Sequence, residues 1–135
     1  MSKFLTKLFS VINPFHSLII EDDGRVCYAY LFGDEEIIGD VWLYNQREPP
    51  NKAKWDRRTI RFLNPSEFLI DNLSISPIKY YSEVDAEWDL SPDNQFLNEV
   101  NIFIRGNLVA KLKPYAKPGW STMVKKDGPL AKVLL

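Results

Sequence analysis

Short stretches of alternating hydrophobic and polar residues recur along the chain, a pattern typical of β-strands with one buried and one solvated face. Three strand candidates lie close together near the start of the sequence: residues 17–21, 25–32 and 36–44. Asp22-Asp23-Gly24 separates the first two, and an Asp-Gly pair is a strong signal for a β-hairpin. Because parallel pairing needs a crossover of about a dozen residues or more, turns this short predict an antiparallel meander.

Further strands are predicted in the second half of the chain. Residues 100–105 and 108–113 flank Gly106-Asn107, which is a second hairpin signal. Residues 83–90 alternate strictly between acidic and apolar side chains. The chain also contains 8 Phe, 6 Tyr and 4 Trp, and aromatic residues favour strands and supply core area.

Both ends of the chain are predicted to be helical. Apolar residues near the N-terminus recur at the spacing of an amphipathic helix: Phe4, Leu5, Leu8, Phe9 and Ile12. Asn13-Pro14 would end that helix, because proline disfavours helical backbone in the residue before it. Pro129 suits the first turn of a second short helix, over residues 129–135.

These elements predict one domain over residues 1–135, of mainly β class with α+β as the alternative. It would comprise an N-terminal amphipathic helix over 1–13, an antiparallel β core over 16–113 and a C-terminal tail with a short helix over 114–135. We expect the core to be an antiparallel meander or sandwich, or a partly open barrel. The terminal helices would cover its open end or edge.

The alternating segment carries the strongest functional signal. On a strand, four carboxylates share one face: Glu83, Asp85, Glu87 and Asp89. Because a row of carboxylates repels itself unless water or cations meet it, two interpretations stay open. The first is a solvated face neutralised within the fold, for example by the row Arg57, Thr59, Arg61. The second is a docking surface for a basic protein partner. In both we expect the row in solvent and the opposite side chains in the core, namely Val84, Trp88 and Leu90.

Charge is distributed in blocks, although the net charge is only −1. Residues 65–104 hold eight acidic groups and one lysine, whereas residues 105–135 hold seven basic groups and one aspartate. Trp55 and Trp120 lie among lysines and arginines, as in some nucleic-acid sites. The sequence pI near 5.8 is far from the basic footprint of such domains, so nucleic acid is not expected as a partner.

Residues that usually carry catalysis are sparse. His16 is the single histidine, so neither a zinc site nor a relay with the adjacent Ser17 is expected. Cys27 is the single cysteine and lies in an apolar run, which predicts a core residue and favours a reducing, cytoplasmic location. No calcium-binding loop accompanies the acidic row, so no metal or cofactor is expected. No apolar run reaches the about 18 residues of a membrane span.

Three stretches give the chain a resemblance to a known class of proteins: residues 39–44 (GDVWLY), 118–121 (PGWS) and 126–131 (KDGPLA). In these stretches, and in its short β-rich single-domain character, the chain resembles small bacterial immunity proteins, which neutralise a cognate toxin. The resemblance implies a non-catalytic inhibitor that occupies the toxin's surface, and an acidic face suits a basic toxin. It extends to general character without an aligned motif, so it implies no site residue.

Two other function classes stay open. A small β-barrel could hold an apolar ligand in an aromatic-lined cavity. A carboxylate-dependent hydrolase would need two carboxyl groups converging in a cleft. The first prediction is an inhibitor or adaptor protein that binds its partner through Glu83, Asp85, Glu87 and Asp89.

Overall fold

A computed structural model describes residues 3–10, 15–50, 62–71, 73 and 75–135 of the chain. The described residues form two β-sheets and two short 3₁₀ turns, Ser66–Phe68 and Tyr81–Glu83. The predicted mainly β class is therefore confirmed. The first sheet contains four strands: β1 (Phe4–Phe9), β2 (His16–Asp22), β3 (Val26–Gly33) and β4 (Glu36–Asn45). The second contains five: β5 (Val84–Leu90), β6 (Leu97–Ile104), β7 (Asn107–Leu112), β8 (Trp120–Ser121) and β9 (Lys132–Val133).

The first sheet is an antiparallel meander in the order β1-β2-β3-β4. The predicted hairpin between β2 and β3 is confirmed, and its turn is held by side-chain acceptors. Asp22 Oδ1 accepts the amide N–H of Gly24 at 2.9 Å, and Asp23 Oδ1 accepts the amide of Arg25 at 2.8 Å. Gly24 has a φ of 91°, a left-handed conformation that glycine adopts without steric cost.

The second sheet has the order β5-β6-β7-β8-β9. Its first four strands are antiparallel, and β9 joins β8 in parallel. The predicted hairpin around Gly106 is confirmed, with Arg105 and Gly106 both at positive φ, as a tight two-residue turn requires.

The two sheets share one hydrophobic core. Trp42 and Tyr44 from β4 are fully buried together with Val100 and Ile102 from β6. The backbone also joins the sheets, because the amide of Trp42 donates to the carbonyl of Leu130 at 3.0 Å. The amide of Gly119 donates to the carbonyl of Asp40 at 2.7 Å.

The predicted N-terminal helix is wrong where the structure describes it, because residues 4–9 form strand β1. Phe4, Thr6 and Leu8 are half-buried, whereas Leu5, Lys7 and Phe9 face solvent. Phe4 and Leu8 fit a period of two as well as a helical period, and pairing with β2 satisfies the backbone of one edge of β1. Residues 1–2 and 11–13 of the predicted helix lie outside the described residues.

The predicted C-terminal helix over residues 129–135 is also wrong. Lys132 and Val133 form β9, and their neighbours make hydrogen bonds that are not helical ones. The amide of Leu134 donates to the carbonyl of Ser121 at 3.0 Å, and the amide of Gly128 donates to the carbonyl of Ala131. The open backbone edge of β8 thus overrides the local preference of a seven-residue segment, which is too short to be a stable helix by itself.

Candidate functional site: the acidic edge strand

Among the described strands, β5 lies at one edge of the second sheet and pairs only with β6. Asp85, Glu87 and Asp89 are exposed on its outer face. Val84 is buried, and Trp88 is half-buried against the core. The predicted division of the strand into an acidic outer face and an apolar inner face is therefore confirmed for these residues.

Glu83 departs from the predicted row. It ends the 3₁₀ turn before β5, and its side chain is only 22% exposed. Its Oε2 accepts the amide N–H groups of Lys79 at 2.7 Å and Tyr80 at 2.8 Å, and its Oε1 accepts Nε of Arg105 at 2.8 Å. These donors, the Lys79 amide first, lower the pKa of Glu83. The expectation that Glu83 lies mainly in solvent is wrong, because its carboxylate holds the turn that leads into β5.

Within the described ranges, few hydrogen-bond donors lie near the remaining three carboxylates. Asn101 Nδ2 lies 3.4 Å from Glu87 Oε1, and Asn98 Nδ2 lies 3.4 Å from Asp89 Oδ2. The described lysines and arginines make no ion pair with Asp85, Glu87 or Asp89. The row Arg57, Thr59, Arg61, expected as a neutralising partner, lies outside the described residues.

In the part of the chain that the structure describes, no strand pairs with the outer edge of β5. The amide of Arg105 donates to the carbonyl of Glu83 at 2.8 Å, so these two residues are a hydrogen-bonded pair. Hydrogen-bonded and non-hydrogen-bonded pairs alternate in an antiparallel ladder. In the register of β5 with β6, the backbone groups of Asp85 and Glu87 therefore bond to β6. Ala86 and Trp88 direct their N–H and C=O groups away from the sheet.

The rest of the outer face changes sign across the sheet. On β6, Asn101 lies opposite Glu87, and Glu99 forms a 3.0 Å ion pair with Lys111 on β7. At the far side, the Nζ atoms of Lys113 and Lys132 each lie 5.3 Å from the ring centroid of Trp120. A nucleobase that stacked on the indole of Trp120 would compete with both ammonium groups for the ring. Sequence reasoning missed the contribution of β6 to this face, although the polar alternation Glu99, Asn101 signals it.

The single histidine and the single cysteine are both buried. The ring of Phe15 contacts His16 edge-on at 5.0 Å, and burial lowers the pKa of His16. Cys27 is a free, fully buried thiol, as predicted. Burial, and secondarily the carboxylate of Asp22, raises the pKa of Cys27, so the thiolate is disfavoured.

The buried carboxylate of Asp22 is occupied within the fold. Its Oδ1 accepts the Gly24 amide, while its Oδ2 accepts the hydroxyl of Tyr44 at 2.6 Å and Nε2 of Gln46 at 2.7 Å. Within the described ranges no group of three or more His, Cys, Asp or Glu side chains has metal-site geometry. A cleft of about 310 Å³ opens to solvent beside Trp42 and Gln46, and among its walls are Arg47 and Glu48.

Comparison with family models, curated proteins and solved structures gives no match to this chain. In the part of the chain that the structure describes, no helix is long and apolar enough to cross a membrane.

Proposed function

We propose that this protein is a small binding protein of the immunity or inhibitor type, which neutralises a basic partner by occupying its surface. The observation that carries the proposal is the outer row of β5: Asp85, Glu87 and Asp89 are exposed and have no cationic partner among the described residues. Glu83 is not part of this row. The predicted cytoplasmic location stays a prediction.

Three carboxylates on one strand make a surface that attracts a basic protein before contact. Such a field raises the association rate and discriminates against acidic partners, and added salt weakens both effects. Successive outer-face residues of a strand lie about 6.5–7 Å apart, so the row spans about 13 Å. That length matches a short basic segment rather than a single small cation.

The open backbone edge of β5 supports a specific mode of docking. Ala86 and Trp88 present N–H and C=O groups to which an extended partner segment can add as a further strand. Lysines or arginines at every second position of that segment would then lie beside Asp85, Glu87 and Asp89. The backbone would supply affinity, and the carboxylate row would supply selectivity.

The competing role of the row is protection of the edge. Charged side chains on an edge strand keep it from pairing with other chains during folding and at high concentration. Under that role the carboxylates repel strands in general and recruit none. Substituting them would then promote self-association without loss of any partner.

Retention of a partner from a lysate of the native organism tests the proposal. Immobilised wild-type protein should retain a basic partner at low salt, Glu87→Lys should retain about ten-fold less, and added salt should mimic the substitution. Asp71→Lys is the matched control, because Asp71 is an exposed acid outside both sheets. Expression of the retained partner in a bacterial host should be toxic, and co-expression of wild type but not Glu87→Lys should restore growth. Equal retention by wild type and Glu87→Lys would contradict the proposal.

A further inference from the structure

Two edge strands, β1 of the first sheet and β5 of the second, expose side chains of different chemistry. The β5 edge carries three exposed carboxylates, whereas the β1 edge carries Leu5 and Phe9, which are 69% and 56% exposed. Lys7 lies between them and places its Nζ 5.0 Å from the ring centroid of Phe9. Exposed apolar edge strands are sites of strand addition unless charge, proline or a covering element blocks them.

The backbone of β1 presents a regular set of donors and acceptors at this edge. The amide of Ser10 donates to the carbonyl of His16, so Ser10 and His16 are a hydrogen-bonded pair. Hydrogen-bonded pairs recur at every second residue, so in the register of β1 with β2 Leu8 and Thr6 also form hydrogen-bonded pairs with β2. The N–H and C=O groups of Leu5, Lys7 and Phe9 therefore point away from β2, and no described strand pairs with them.

We propose that β1 is a self-association edge, on which a second copy of this chain docks its own β1 in antiparallel orientation. The two four-stranded sheets would then form one continuous eight-stranded sheet. A twofold axis makes the contact closed, because each copy uses the same edge.

Two features select the register of this pairing: the alternation of inward and outward backbone groups along β1, and the positions of the lysines. With Thr6 opposite Thr6 of the second copy, Leu5 and Lys7 form the hydrogen-bonded pairs on either side. Phe4 then lies opposite Leu8 on the half-buried face, and Lys3 lies opposite Phe9 on the outer face. Residues 3–9 are all paired and no lysine faces a lysine, whereas a register centred on Lys7 would oppose two ammonium groups.

The second copy is a better occupant than an acidic or a basic partner strand for two reasons. The edge offers one cation between two large apolar side chains, so apolar contact rather than charge dominates it. The half-buried side chains Phe4 and Leu8 also continue the core face of the sheet into the second copy. One strand per copy is a smaller contact than the about 800 Å² per partner of standard interfaces, so the dimer is weak and forms with rising concentration.

Sedimentation of the full-length chain, from about 5 µM to about 500 µM, tests the proposal over the range of weak specific association. Wild type should shift from monomer to dimer. Lys7→Pro removes an outward N–H while sparing the β1–β2 hydrogen bonds, and should weaken dimerisation at least about ten-fold. Lys7→Ala is the matched control and should change it by less than about three-fold. A monomer throughout, or a mass that grows beyond the dimer, would overturn the proposal.

Disulfide trapping tests the register without relying on a proline variant. Non-hydrogen-bonded partners have Cα atoms about 4.5 Å apart, within the range that a disulfide bridges. Thr6→Cys should therefore give a covalent dimer under mild oxidation, whereas Leu8→Cys, which faces Phe4 of the second copy, should not. The buried Cys27 stays unreactive in both variants. Equal trapping of the two variants would overturn the register. Both measurements use β1 alone, so they are independent of partner binding at β5.

Discussion

The hydroxyl of Tyr44 donates a hydrogen bond of 2.6 Å to a carboxylate oxygen of Asp22, and both side chains are buried. The same hydroxyl accepts the amide N–H of Ile78 at 2.9 Å. Tyr44 thus links the β2–β3 turn to the segment that leads into the second sheet. Burial is the main cause that raises the pKa of Tyr44 far above the ordinary phenol range, so the hydroxyl stays protonated and keeps donating.

Tyr44→Phe should lower the free energy of unfolding by about 2–3 kcal/mol. The substitution leaves the volume of the ring unchanged but deprives a buried carboxylate and the Ile78 amide of a partner. Chemical denaturation, with the slope compared between proteins, measures the change. Tyr115→Phe is the control, because Tyr115 is 83% exposed, and it should change stability by less than about 0.5 kcal/mol. If Tyr44→Phe lowered the free energy of unfolding by as little as this control, water would have replaced the hydroxyl as hydrogen-bond partner.

The single histidine predicts a pH dependence of stability. Because burial lowers the pKa of His16 below its ordinary 6.5, the folded state binds fewer protons than the unfolded state when the pH falls through that value. Stability should therefore be full above pH 6.5 and decline as the pH falls below it. The imidazole resonance in an NMR titration reports the folded pKa directly, since no other histidine contributes. His16→Gln should flatten the dependence in this window, and a folded pKa at or above 6.5 would contradict the prediction.

The sequence predicted those parts of the fold that local pattern determines. Strand β5 and the Gly24 hairpin follow from alternation and turn chemistry within a few residues. The N-terminal segment could not be assigned in this way, because Phe4 and Leu8 fit both a helical and a strand period, and pairing with β2 decides between them. The role of Glu83 depends on Arg105, which is 22 residues away and meets it only because β5 pairs with β6.

Two tryptophans should differ in their contribution to stability because their burial differs. Trp42 is fully buried and its Nε1 donates to Asn45 Oδ1 at 2.8 Å, so Trp42→Ala should cost about 4 kcal/mol. Trp88 is half-buried on an edge strand, so Trp88→Ala should cost about 2 kcal/mol. Thermal and denaturant unfolding measure both. A cost for Trp88 equal to that for Trp42 would mean that the β5 inner face is sealed as tightly as the centre of the core.

Substitutions of Glu83 and Glu87, which are only four residues apart, should have different effects: the first should lower stability and the second should weaken partner binding. The hydrogen bonds from Lys79 and Tyr80, together with Arg105, lower the pKa of Glu83 below its ordinary 4.5. Its ionised form therefore stabilises the fold at neutral pH, and this contribution is lost as the pH falls through the lowered folded pKa. Glu83→Gln should reduce stability at pH 7 and flatten its decline below about pH 4.5.

Glu87→Gln replaces a carboxylate by an amide, as Glu83→Gln does, but removes the charge from the exposed row of β5. Among the described residues its carboxylate has a hydrogen-bond contact with Asn101 alone, at 3.4 Å, so the substitution should leave the unfolding curve unchanged within about 0.5 kcal/mol. It should instead slow association with the partner, and the effect should shrink as salt is added. Denaturation curves at pH 3–7 and association rates at two salt concentrations, measured on both variants, give the comparison. Equal loss of stability from the two substitutions would place both carboxylates in one internal network and remove the argument that the β5 row is free for a partner.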